Sequence, residues 1–201
     1  MKLFLDSANI EDIRQALSLG VIEGIITRPC LLPGDNAESR KLAKAICREM
    51  EGPVGFCVAA VDVEGILRDA RDLMTIAPNV LVRVPVTFDG LRAMRALQMG
   101  GIESQAIDVY SANQALLAAK AGAAYVCPDL GRLATAGMDG LQVARDTVTV
   151  LRNAELRAQV LIENVEHAGV VHQAAMIGVD AAAVSLSILL DMIKPTQASP
   201  K

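Results

Sequence analysis

Val80-Leu-Val-Arg-Val-Pro-Val86 sets four valines, one leucine and one proline around a single charge, Arg83. Pro78-Asn79 precedes the run and Thr87-Phe-Asp-Gly90 follows it. A short apolar, β-branched run between turn signals reads as a buried strand. Alternation puts Leu81, Arg83 and Pro85 on one face and the valines on the other. A guanidinium inside such a strand is costly unless it is paired or opens onto a polar cavity. Arg83 is therefore either half of a structural ion pair or a ligand-binding group.

The same unit, an apolar run followed by a helical pattern, repeats on both sides of this strand. Before it come runs at Leu3–Asp6, Val21–Thr27 and Val54–Ala60. After it come Gln105–Tyr110, Ala124–Pro128, Gln159–Val165 and Ala182–Leu186. Ser7 or Asn9 caps the first helix, and Gly122 stops the helix over Ala112–Ala121. Leu130–Gly137 reads as a loop covering the mouth, ahead of a helix that runs to Asn153. Eight units with short connections predict a single-domain α/β fold, a (β/α)8 TIM barrel over residues 1–194 with a flexible polar tail over 195–201. A doubly wound open sheet is the competing fold, but no Gly-rich dinucleotide fingerprint follows the first strand.

The 201-residue chain is 52% hydrophobic, with three Phe, two Tyr and no Trp. An aliphatic core of that kind suits parallel strands covered by helices. A net charge of −4 and the absence of any basic block argue against a nucleic-acid partner. No apolar run is long enough for a transmembrane helix, and Met1-Lys-Leu-Phe-Leu-Asp6 does not read as a signal peptide, so no membrane partner and a cytoplasmic location are expected. Cys30, Cys47, Cys57 and Cys127 lack metal-binding spacing and are expected as reduced thiols, with neither metal nor cofactor.

Several stretches carry a family resemblance. Phe4-Leu-Asp-Ser-Ala8, Gly24-Ile-Ile-Thr-Arg-Pro-Cys30 and Ala77-Pro-Asn-Val-Leu-Val-Arg-Val-Pro-Val-Thr87 resemble the first, second and fourth strand motifs of the transaldolases. Ser111-Ala-Asn-Gln-Ala-Leu-Leu-Ala-Ala-Lys-Ala-Gly122, then Tyr125-Val-Cys-Pro and Gly131-Arg132, is the longest match. The short-chain branch that includes fructose-6-phosphate aldolase is the most similar. The resemblance implies a barrel whose fourth strand carries a lysine that forms a Schiff base with a ketose phosphate. Here that position is Arg83, which stays protonated and offers no free amine. It also implies that Arg28, Cys57, Gln105, Ile107, Asp129 and Asn164 stand where the family carries other groups. Only Asp6, the substrate-contacting first-strand acid, and Arg132, the phosphate-binding arginine, remain. A homo-oligomer is implied, with the ring size in question because the family's C-terminal helical extension is not evident.

The matching register gathers Asp6, Arg28, Cys57, Arg83, Ile107, Cys127, Asp129 and Asn164 around one cavity. With Arg132 at the rim, three cations face two carboxylates, and an anionic ligand would supply the missing charge. One reading is a redirected site for a small phosphorylated or carboxylated substrate. Asp6 or Asp129 acts as base and Arg83 stabilises developing negative charge, with Arg28, Cys57, Gln105, Cys127, Arg132 and Asn164 binding substrate. A thiol beside arginine is a candidate nucleophile, although buried cysteine more often packs as a small hydrophobe. The other reading is an inactive binder or scaffold in which Arg83–Asp6 and Arg28–Asp129 are internal ion pairs. His167 and His172 are expected at the surface, Tyr110 and Tyr125 in packing. Arg68, Asp69, Arg71 and Asp72 are expected to form a solvated face with i,i+3 pairs. Asp108 falls on the helix-facing side without an evident partner.

Overall fold

The computed structural model describes residues 1–28, 30 and 37–194; the expected tail over 195–201 lies outside the described residues. Eight parallel strands close in sequence order into a barrel, so the open-sheet alternative does not apply. They are β1 (Lys2–Asp6), β2 (Gly24–Ile26), β3 (Val54–Cys57), β4 (Val80–Pro85), β5 (Ser104–Val109), β6 (Tyr125–Pro128), β7 (Gln159–Ile162) and β8 (Ala181–Val184). The helices are α1 (Ile10–Leu17), α2 (Ala37–Glu49), α3 (Val63–Met74), α4 (Phe88–Met99), α5 (Ala112–Ala121), α6 (Leu130–Thr135), α7 (Gly140–Asn153), α8 (Ala168–Ile177) and α9 (Leu186–Met192).

Two apolar layers hold the fold. Val80, Val82 and Val84 of β4 pack outward against the helices, whereas Leu81 joins Phe4, Ile26, Tyr125, Cys127, Leu161, Ala181 and Ala183 inside the barrel. The alternation expected of β4 is thus observed. Phe4 meets Tyr125 edge-on with ring centroids 5.7 Å apart, the preferred aromatic geometry. Tyr125 is accordingly a packing residue. Gly24, beside Phe4 in the ladder, has no side chain because a Cβ there would overlap the Phe4 ring.

Sequence and structure differ at particular turns. Leu130–Gly137 is not a covering loop. Asp129 accepts a hydrogen bond from Arg132 N at 2.9 Å, caps α6, and lets Leu133 reach the core. Asn9, not Ser7, caps α1. The charges of α3 do not pair along their own helix: Asp69 accepts the backbone N–H groups of Ala59 and Ala60 at 2.9 Å each, and Asp72 pairs with Arg40 at 2.7 Å. In β5 the ladder to β6 slips between Ala106 and Val109, and Asp108 takes a left-handed φ of 58°. Such a bulge re-aims a side chain. Asp108 therefore leaves the helix-facing side, where parity put it, for the mouth.

Gly24→Ala should destabilise the barrel by about 2 kcal/mol through overpacking against Phe4. A urea midpoint equal to wild type would contradict this account of the lower barrel.

Candidate active site

The C-terminal strand ends carry a network of guanidiniums and carboxylates. Register sets Cys57, Arg83 and Gln105 side by side on β3, β4 and β5. Gly55 makes room for the arginine, since a Cβ there would sit 3.0 Å from Arg83 Cδ. Arg83 is only 5% exposed, and its Nη2 donates to Glu163 Oε1 at 2.6 Å and Oε2 at 2.5 Å. Gln105 Nε2 donates to Glu163 Oε1 at 2.6 Å and to Cys127 Sγ at 2.9 Å. The buried partner of Arg83 is thus Glu163, not Asp6.

Arg28 reaches back from the end of β2 and donates from Nε to Asp6 Oδ2 at 2.6 Å; its Nη2 lies 3.6 Å from Glu163 Oε2. The alternative pairing Arg28–Asp129 is not formed. Asp129 is held by the α6 cap, by Asn164 Nδ2 at 2.6 Å and by Arg132 Nε at 3.6 Å. Arg132 also pairs with Asp108. The neighbouring Tyr110 side chain and the Asp108 charge raise the Arg132 pKa. His167 and His172 are exposed, and His167 stands at the α8 N-cap without a side-chain cap bond.

The charge balance expected from sequence is reversed. Arg28, Arg83 and Arg132 face Asp6, Asp108, Asp129 and Glu163, so carboxylates outnumber guanidiniums by one. The cavity they border is small, about 90 Å³, and is lined by Arg28, Arg83, Asp108, Asp129, Arg132 and Glu163 with Thr27, Cys30, Cys57, Ile107 and Cys127; Asp6, Gln105 and Asn164 touch this network but are not among the lining residues. Cys57 is not a free thiol, because it forms a disulfide with Cys30. Burial pushes the Cys127 thiol well up, reinforced by Glu163, so it is no thiolate nucleophile. Burial likewise raises the Asp6 carboxyl above its ordinary 3.8; the charge of Glu163 adds to this, and Arg28 opposes it. Asp6 Oδ1, Arg83 Nε and Gln105 Oε1 are buried without a hydrogen-bond partner among the described residues.

Glu163, which the resemblance does not point to, carries a parity signal in the sequence. Leu161 points into the barrel, and residue 163 shares its face by alternation. Asn164, placed in the site by its neighbours in the resemblance, has a left-handed φ of 53° and leaves the strand pattern. It reaches the site only through Asp129.

A closed parallel barrel with a charged pocket at the C-terminal strand ends is the plan of a TIM-barrel enzyme scaffold. Residues 3–201 match the family described as Transaldolase/Fructose-6-phosphate aldolase. A probable transaldolase of Thermoanaerobacter sp. (strain X514) is 40% identical over 194 residues, covering 96% of this chain and 90% of that one. The probable transaldolase of Kosmotoga olearia is 40% identical over 189 residues, 94% of this chain and 87% of its own. That of Methanococcus maripaludis (strain C5) is 39% identical over 189 residues, 94% and 88% respectively. The chain belongs to the transaldolase/fructose-6-phosphate aldolase family. Among the described residues no helix is long and apolar enough to cross a membrane.

Glu163→Ala should cost roughly 3–5 kcal/mol, because it leaves the Arg83 charge buried and unpaired, whereas Arg83→Met/Glu163→Met should cost much less. Equal losses in chemical denaturation would contradict the buried pair. A carboxyl-detected NMR titration should place the Asp6 midpoint above 3.8. A raised folded value means that Asp6 contributes its stability below the unfolded pKa and loses it as pH rises through the folded one. A midpoint at 3.8 would remove that contribution and one below it would reverse the sign; either would contradict the raised carboxyl.

Proposed function

We propose that this chain binds a small phosphorylated, carbohydrate-like substrate at the barrel mouth and handles it without lysine imine chemistry. The observation that carries this reading is the state of Arg83. It occupies the fourth-strand position where the resemblance expects the imine lysine, and Glu163 holds it from both carboxylate oxygens. A guanidinium so held supplies charge and hydrogen bonds but no nucleophilic nitrogen.

Arg132 is the cation for the phosphate, since its side chain is 57% exposed at the rim. Asp6 is the proton carrier: its raised pKa brings it closer to working pH, and Arg28 Nε lies 2.6 Å from it. A proton taken by Asp6 from a carbon beside a carbonyl would leave an enolate oxygen for Arg28 to stabilise. Asp129, committed to the α6 cap and to Asn164, suits positioning of Arg132 better than the role of base. A cytoplasmic homo-oligomer belongs to the same reading.

The second reading, a non-catalytic sugar-phosphate binder or scaffold, draws on the pairing of every guanidinium in the mouth and on a cavity of about 90 Å³. Ligand pockets commonly reach about 300–1,000 Å³. A thermal-shift panel of ketose phosphates, aldose phosphates, dicarboxylates and inorganic phosphate separates the readings when combined with turnover assays. A phosphorylated ligand at about 100 times its Kd should stabilise by about 2.7 kcal/mol, and Arg132→Ala should abolish the shift. Borohydride treatment with fructose 6-phosphate should leave the protein mass unchanged. A trapped adduct would overturn the proposal, and absence of any shift would favour the scaffold.

A further inference from the structure

Two of the cavity-lining residues are a bonded pair of cysteines. Cys30 lies beyond the end of β2 and Cys57 ends β3; their sulfurs form a disulfide with Cα atoms 5.9 Å apart. The ladder between β2 and β3 already holds these strands together. Arg83 divides its terminal nitrogens between two tasks. Nη2 is bound by Glu163, while Nη1 donates toward Cys30 Sγ at 3.5 Å and Cys57 Sγ at 3.8 Å. A cationic donor aimed at sulfur favours the thiolate over the thiol. The other cysteines differ in kind: burial pushes the Cys47 thiol up to about 11 and the Cys127 thiol well above its ordinary value.

We propose that Cys30 and Cys57 form a reversible dithiol–disulfide couple that exchanges two electrons with a small thiol or dithiol entering the mouth. Cys30 is half-buried and Cys57 is 8% exposed, so an incoming thiolate attacks the Cys30 sulfur. The protein S–S bond breaks, a mixed disulfide forms on Cys30, and Cys57 leaves as a thiolate beside Arg83 Nη1. The second thiolate of the reagent then attacks the reagent's own sulfur in that mixed disulfide and displaces Cys30. The reagent ends as its disulfide, two electrons have passed to the protein, and the protons of the reagent thiols go to solvent or to the released cysteines. In a reducing compartment a disulfide so placed has a catalytic or redox-sensing character, whereas a structural staple would stay closed until the barrel unfolds.

The test counts reactive thiols in the folded chain. Protein oxidised with diamide, and the same protein then treated with millimolar dithiothreitol, are each labelled with maleimide without denaturant and weighed intact. The expected result is no adduct after oxidation and two after reduction, at Cys30 and Cys57. Reduction should be about tenfold slower in Arg83→Met, whose leaving thiolate lacks its cation. Arg83→Met/Glu163→Met serves if the single variant fails to fold. Two adducts in both states, none in either without denaturant, or an unchanged rate in the arginine-free variant would each overturn the proposal.

Discussion

The buried pair of Arg83 with Glu163 is the constraint on which the arrangement of the mouth depends. Both groups are nearly inaccessible, at 5% and 3%, so water screens them little. Taking two charges out of water costs several kcal/mol per ion and is offset only by close, hydrogen-bonded contact. The barrel meets that condition by removing a side chain at Gly55 and by turning the Gln105 amide onto Glu163. With Glu163 engaged by Arg83, Arg28 takes Asp6 as its close partner and stays 3.6 Å from Glu163. Arg132 is left to a separate cluster at the rim with Asp108, Asp129 and Tyr110.

This arrangement gives one guanidinium two consequences. Toward Glu163 it forms a fixed, buried charge pair. Toward Cys30 and Cys57 it presents a donor to sulfur. The scaffold is that of the family: eight parallel strands and an aliphatic double layer, with the guanidinium–carboxylate network at the C-terminal strand ends.

The barrel was legible in the sequence because its signal is periodic and local. The run around Arg83, repeated with helices between, is a pattern that tertiary context has little scope to change. The site was legible as a set of residues but less so as a set of pairs. Arg28, Arg83, Asp129 and Arg132 line the cavity and Asp6 joins it through Arg28, yet which carboxylate meets which arginine depends on side-chain reach across strands far apart in sequence. Asp108 was hidden by a bulge, which breaks the parity on which the reading relied. Glu163 obeys parity with Leu161, whereas the resemblance points to its neighbour Asn164, which leaves the strand pattern. The disulfide was hidden for another reason: a spacing of 27 residues carries no pairing signal, and it is the pairing of β2 with β3 that brings Cys30 beside Cys57.

The most direct measurement is guanidinium-detected NMR of Arg83 in the ligand-free protein. Contact of Nη2 with both Glu163 oxygens in a buried site should slow rotation about the Cζ–Nη2 bond and protect its protons from exchange. The account predicts resolved, exchange-protected Nη resonances for Arg83 that collapse in Glu163→Gln. A single averaged, fast-exchanging signal in the wild-type chain would show that the pair is not formed, and the account of the mouth built on it would fall.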